Sequence, residues 1–255
     1  MKRILAGVLL SNMISCATTS EYHLDNVWYK KGITEAFKES KSTGKPTFIY
    51  WGAVWCPPCN EIKDQVFSKP RFGKIMENYI PVYLDGDTEE AQIWADKLQA
   101  FGYPTILVFS PEGKELVRIS SGVNLEEFEL ALAGARNNSI EDLLKKSKSG
   151  KLDDSGWKSL AYTSWGQLPQ NRYSAKKKWE IQRYLIAEVP RDLVEESSAL
   201  SSSFISSTIA LAKDDQDASV KNVKLNASRL LDLIFKNERS IKASRGFITS
   251  QESIL

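Results

Sequence analysis

Between Ile33 and Arg136 the spacing of apolar residues changes several times, and each change marks an element. Ile33, Ala36 and Phe37 recur at helical intervals and stop at Ser42-Thr43-Gly44, which predicts a helix closed by glycine. Pro46 to Trp51 is a continuous apolar, β-branched and aromatic run, predicted as a buried strand. Ile62, Val66 and Phe67 then share one face of a helix. Ile80 to Leu84 predicts a second strand, and Glu89 to Gln99 a helix with Ile93, Trp94 and Leu98 on one side. Thr105–Phe109 and Glu115–Ile119 read as strands joined through Pro111-Glu112-Gly113, a turn of the Pro-x-Gly kind. Asn124 and Glu127 form a capping box ahead of Leu125, Phe128, Ala131 and Leu132. The order is β-α-β-α-β-β-α with a helix in front.

Past Arg136 the strand-like alternation disappears, and residues 137–255 are expected to form an all-helical domain. Ser139 caps a helix carrying Leu143 and Leu144. After a polar break at Gly150–Gly156, Trp157, Leu160, Ala161 and Trp165 resume helical spacing. Trp179, Arg183 and Ile186 mark another helix, and Pro190 is expected to begin a long one carrying Leu193, Leu200, Phe204 and Ile209. Seven serines between Ser197 and Ser207 disfavour helix, yet the apolar residues among them keep helical intervals, so a helix packed through small residues is expected. A last helix is expected from Asp217 to Phe235. The clusters Lys145-Lys146-Lys148 and Lys176-Lys177-Lys178 read as solvated faces.

Composition narrows the chemistry. A net charge of +2 gives no electrostatic reason to expect nucleic acid as a partner. One histidine, His23, and three cysteines are too few for an ordinary four-ligand structural zinc site, and no metal is expected. Lys2-Arg3 followed by the apolar Ile4–Leu10 resembles an export signal far shorter than the ~20 residues that span a bilayer. Two processing readings stay open: cleavage after Ala17, or lipidation at Cys16 within Met13-Ile14-Ser15-Cys16, where Ile14 is bulkier than the lipobox pattern. Residues 1–17 are then the signal and 18–26 a tether. Once Cys16 is lipidated or removed, only Cys56 and Cys59 remain, so no odd thiol is left in an oxidising compartment. A bridge across so small a loop removes little chain entropy, which suits exchange better than stapling.

The pair lies in Trp55-Cys56-Pro57-Pro58-Cys59, where a strand feeds a helix, and Tyr103-Pro104-Thr105 follows some 45 residues later ahead of a hairpin. On these residues, with Val66-Phe67-Ser68 and Leu84-Asp85-Gly86-Asp87, residues 27–136 resemble a thioredoxin-like domain. The closer likeness is to the exported reductase-type branch, which includes the C-terminal domain of the membrane-embedded disulfide reductase. The resemblance implies a central mixed sheet flanked by helices, followed here by the helical domain. It implies no cofactor beyond a redox-active Cys56–Cys59 disulfide, and a cis Tyr103–Pro104 bond facing it. It also implies disulfide-containing protein substrates that pair with the main chain at Tyr103, and a membrane disulfide reductase as electron donor.

The residues themselves assign the roles. Free cysteine has a pKa of ~8.5, and the thiolate is the reactive species. Helix N-terminal N–H groups and the dipole favour that anion at Cys56, which is expected to be the solvent-open nucleophile, with Cys59 less exposed as the resolving thiol. Pro57 suits the first turn of the helix because it lacks an N–H anyway. Trp55 is expected to cover one side of the reactive sulfur. One departure stands out. Many thioredoxins carry a buried Asp six residues before the first cysteine, and here that position is Tyr50, a poor base at neutral pH. Glu61 is a candidate substitute. The function expected is thiol-disulfide exchange in the cell envelope, in the reducing direction. The competing reading is an envelope binding or adaptor protein whose helical tail recognises a partner, with a module of low turnover.

Overall fold

A computed structural model describes residues 23–119, 122–136 and 138–214, with side chains as far as 211. Cys16, the signal and most of the tether, and the helix expected over Asp217–Phe235 lie outside the described residues.

Four strands, β1 (Thr47–Gly52), β2 (Ile80–Asp85), β3 (Thr105–Phe109) and β4 (Glu115–Ile119), form one mixed sheet in the order β2-β1-β3-β4. β1 runs parallel to β2 and antiparallel to β3, and β3 pairs antiparallel with β4. Side chains alternate across the sheet, so each face gathers its own core. Phe48, Tyr50, Ile106 and Val108 point one way, while Ile49, Trp51 and Leu107 join Ile33, Ala91, Ala95 and Leu98 on the other. The second set buries α1 (Ile33–Thr43) and α4 (Glu89–Leu98). α1 stops as its sequence predicts, at Gly44 with φ of 74°. On α4 the buried positions are Ala91, Ala95 and Leu98, whereas Ile93, expected on that face, is exposed.

The first face carries α2 (Pro57–Ile62), a π-helical turn Lys63–Phe67, α3 (Pro70–Met76) and α5 (Leu125–Ala135). The expected helix face of Ile62, Val66 and Phe67 is fully buried. α3, with Pro70 at its first turn, has no counterpart in the periodicity reading. Trp28, ahead of α1, centres an aromatic nest of Phe48, Tyr50, Phe67, Phe72 and Tyr83, with centroids 5.6–6.3 Å away. Both halves of the Asn124–Glu127 capping box form.

The apolar cluster on this face continues into the helical extension. It runs from Phe48 and Phe128 to Leu143, Leu160, Trp165, Leu185 and Leu200. The extension comprises α6 (Ile140–Lys148), α7 (Asp154–Ala161), a 3-10 turn Trp165–Gln167, α8 (Ala175–Glu188) and α9 (Val194–Asp214). Trp165 thus sits beyond α7, and the long helix begins at Val194 after a turn instead of at Pro190. α7 packs on α5 at backbone distance: a Cβ on Gly134 would lie 2.1 Å from the Ser155 carbonyl oxygen. In the serine-rich α9 the hydroxyls bond back onto the preceding turn, Ser201 Oγ to Ser197 O at 2.7 Å and Ser202 Oγ to Ser198 O at 3.0 Å, while Leu200 and Phe204 at helical spacing are buried. Among the described residues no helix is long and apolar enough to cross a membrane.

A chain of charges ties the sheet to the extension. Arg118 on β4, with no exposed side-chain surface, donates to both Glu115 oxygens (3.2 and 3.1 Å) and to the carbonyls of Leu98 and Gln99 (3.0 and 3.1 Å). Arg172 approaches Glu115 at 3.3 Å and grips Glu141 with two bonds of 2.8 Å. Burial alone would raise the Glu141 carboxyl, but hydrogen bonds from Arg172 and Tyr173 outweigh it and hold it at about 2, against an ordinary 4.5. A depressed carboxyl contributes stability that is present above its ordinary range and lost as pH falls toward the folded value. Wild-type protein is therefore expected to lose stability between about pH 4.5 and 2 by this route, modestly because Glu141 is half exposed. Urea titrations across that range should show a shallower acid decline for Arg172→Ala than for wild type.

Candidate active site at the Cys56–Cys59 disulfide

β1 ends at Gly52, and the chain crosses Ala53-Val54-Trp55 before α2 begins. Cys56 is the residue capping α2, extended at φ −84° and ψ 114°, and Pro57 and Pro58 occupy the first turn. This geometry follows from the sequence: proline tolerates the first helical turn and disfavours helical backbone in the residue before it. Cys56 and Cys59 form a disulfide with Cα atoms 5.2 Å apart. The Cys59 N–H donates to Cys56 Sγ at 3.2 Å. That donor, together with the helix dipole, favours negative charge on Cys56 once the bond is reduced.

Exposure corrects one expectation. Cys56 is only 3% exposed and Cys59 fully buried, so the first sulfur of the oxidised pair is not open to solvent. Cys56 Sγ is engaged by its bond to Cys59 and by the Cys59 N–H. The surrounding Val54, Trp55, Pro57 and Pro58 are exposed instead. Trp55, 61% exposed, donates from Nε1 to Asp87 Oδ1 at 2.7 Å and meets the Tyr103 ring edge-on at 5.4 Å.

The Tyr103–Pro104 peptide is cis, and Pro104 is buried. Tyr103 also packs against Trp51, with centroids 4.1 Å apart, so the turn and the cysteine motif meet through these aromatic rings. Gly86 is needed here, since a Cβ on it would lie 2.4 Å from the Tyr103 hydroxyl.

Behind the pair, Tyr50 is fully buried, and its hydroxyl has no hydrogen-bond partner among the described residues. Burial, reinforced by Tyr83, pushes its ionisation well above the ordinary phenol range, so Tyr50 does not serve as a base. Lys63, four residues after Cys59, places its ammonium 5.4 Å from the Tyr83 ring centre and 6.0 Å from that of Tyr50. Lys63 gave no signal in the sequence reading because a lysine on an amphipathic helix is ordinarily solvated. Glu61 is exposed. A cation at Lys63 favours whichever state of the pair carries a thiolate. Lys63→Met is expected to shift the dithiol–disulfide equilibrium about threefold toward the disulfide, ~15 mV, read by equilibration with glutathione.

Among the described residues no cluster of three His, Cys, Asp or Glu side chains is placed to hold a metal ion. His23 is exposed ahead of a short 3-10 turn at Leu24–Asn26.

A thioredoxin-like domain model matches residues 33–136. Over 85 residues the chain is 32% identical to the thiol:disulfide interchange protein DsbD of Salmonella typhi, covering 32% of this chain and 15% of that protein. Over 82 residues it is 34% identical to thiol:disulfide interchange protein DsbD 1 of Pseudomonas aeruginosa, covering 31% and 14%. The chain therefore spans about one-seventh of the length of these curated relatives. Among solved structures, a DsbH oxidoreductase aligns over 42% of this chain and 83% of its own, at 21% identity and a TM-score of 0.39. The strand order, the disulfide at the start of α2 and the family match agree. Residues 33–136 of this chain are a thioredoxin-like domain, homologous to thiol:disulfide interchange proteins and followed by further helices.

Proposed function

We propose that the protein is a thiol-disulfide oxidoreductase of the cell envelope that reduces protein disulfides through Cys56 and Cys59. The reading rests above all on the Cys56 sulfur, which caps α2 and accepts the Cys59 N–H within a bonded pair. In the reduced state the Cys56 thiolate attacks one sulfur of a substrate disulfide. A new S–S bond forms, the substrate bond breaks, and the departing sulfur takes up a proton. Cys59 then loses its proton to solvent and attacks Cys56 Sγ, which releases the second substrate thiol and regenerates the Cys56–Cys59 disulfide. Two electrons pass to the substrate in each cycle. A dithiol donor must restore them, and homology to DsbD supports a membrane disulfide reductase of that kind. Trp55, Pro57, Pro58, Tyr103 and Pro104 form the surface that meets the substrate, and the main chain at Tyr103 offers a strand-like edge to it. Residues 1–17 direct export, by cleavage after Ala17 or lipid attachment at Cys16.

Equilibration in glutathione buffers tests the direction. A reductase pair stays oxidised where the glutathione pool is mostly reduced, because its potential lies below that of the pool. A pair that stays reduced in those buffers belongs to an oxidase or isomerase.

Burial of Cys56 supports a second reading, in which the helical extension recognises an envelope partner and the disulfide turns over slowly. Cys56→Ser separates the two in a pull-down. Retention of the same partners favours binding, and their loss favours covalent exchange.

A further inference from the structure

The Tyr103–Pro104 turn is held from three directions. From α4, Gln92 Nε2 donates to the Tyr103 hydroxyl at 2.8 Å, and that hydroxyl donates to Gly86 O at 3.1 Å. Within the turn, Thr105 Oγ1 donates to Gly102 O at 2.7 Å. From the helical extension, across 63 residues of sequence, Gln167 Nε2 donates to Pro104 O at 2.9 Å.

Gln167 is not a surface side chain that happens to reach the turn, because the segment carrying it is fixed on every side. Trp165 is buried and donates from Nε1 to Leu160 O at 3.0 Å. The Ser164 N–H donates to Arg118 O at 2.8 Å, beside an antiparallel bridge between Ile119 and Thr163. Lys178, itself buried, donates from Nζ to Leu168 O at 2.9 Å. The end of β4, at Arg118 and Ile119, is thereby paired with the chain's own residues 163–164. Beside the turn two large apolar side chains stay exposed, Trp55, in contact with Tyr103, and Phe101, 71% exposed, next to the exposed polar side chain of Gln92.

We propose that the helical extension builds one wall of the substrate groove, with Gln167 as a specificity-determining residue. It fixes the peptide plane after Pro104, and so the main chain at Tyr103, in register for an extended polypeptide that carries the disulfide. The inference rests on the oxidoreductase reading above and adds the part that the helical extension plays in it. A polypeptide that docks as a short strand needs the receiving peptide planes aligned. A small disulfide needs only a route to sulfur, so Gln167 discriminates between the two.

The test uses the full chain and two oxidised substrates, insulin and 2-hydroxyethyl disulfide, with dithiothreitol as reductant. Gln167→Met keeps the bulk and loses the donor, and Gln167→Asn keeps polarity but falls one methylene short of Pro104 O. Each variant is expected to raise KM for insulin about fivefold, the loss of one hydrogen bond, with kcat little changed. Turnover of the small disulfide should stay at the wild-type value, which also reports that the variants fold. Equal losses on both substrates, or no change on either, overturn the inference while leaving the oxidoreductase reading in place. A wild-type protein inert toward both substrates overturns that reading, and this one with it.

Discussion

Cys56→Ser is expected to reduce insulin no faster than dithiothreitol alone, whereas Cys59→Ser accumulates as a covalent adduct with its substrate. The asymmetry comes from the positions of the two sulfurs. Cys56 caps α2 and accepts a helical N–H, so its thiolate is the stabilised one. A serine hydroxyl there is scarcely ionised at neutral pH and forms no bond to substrate sulfur. Cys59 is buried one turn further on and reaches only Cys56. Its attack is intramolecular, at an effective concentration that external thiols do not approach. Without it, the mixed disulfide at Cys56 waits for a thiol from solution. Insulin turbidity, together with non-reducing electrophoresis, checks both outcomes. Turnover by Cys56→Ser at the wild-type rate sinks the assignment of the nucleophile, and failure of Cys59→Ser to retain substrate sinks that of the resolving thiol.

Arg118→Ala is expected to be the most destabilising single change away from the disulfide, by about 3–5 kcal/mol. A buried guanidinium costs a great deal to desolvate, and here its donors meet the Glu115 carboxylate and the carbonyls of Leu98 and Gln99, where α4 ends. Those carbonyls carry the negative end of the helix dipole and have no partner within the helix, so the cation answers both needs. Alanine leaves them and Glu115 short of donors in a closed space. Arg172 still reaches Glu115, which keeps the loss toward the lower end of that range. Urea unfolding followed by circular dichroism reads the change. A shift below ~1 kcal/mol would mean that water enters and replaces the guanidinium.

The four strands, the stop of α1 at Gly44 and the Asn124–Glu127 capping box were legible in the sequence because each is specified within a few residues. So was the cysteine motif, whose prolines set the start of α2. The serine-rich α9 was legible too, since apolar spacing outweighed composition. What could not be read depends on contacts between distant segments. Arg118 sits in an alternating strand, and nothing local says that its side chain ends buried under α4. Gln167 is one polar residue in a tryptophan-rich stretch, and its partner at Pro104 is 63 residues away. The burial of Cys56 is set by the packing around the start of α2, which the motif itself does not spell out. α3 was missed because Phe72, Ile75 and Met76 supply barely two turns of pattern after Pro70.

At Gly134 helix propensity and packing make opposite demands. A helix that merely roofs a sheet gains from alanine at such a position, and glycine there costs it roughly 0.5–1 kcal/mol. In this protein the same spot is where α7 lies against α5 with no room for a methyl group. The residue is a cost to α5 taken alone and a requirement of its packing against α7. Grafting these later helices onto an unrelated thioredoxin scaffold would have to begin by hollowing out its final helix at the matching turn.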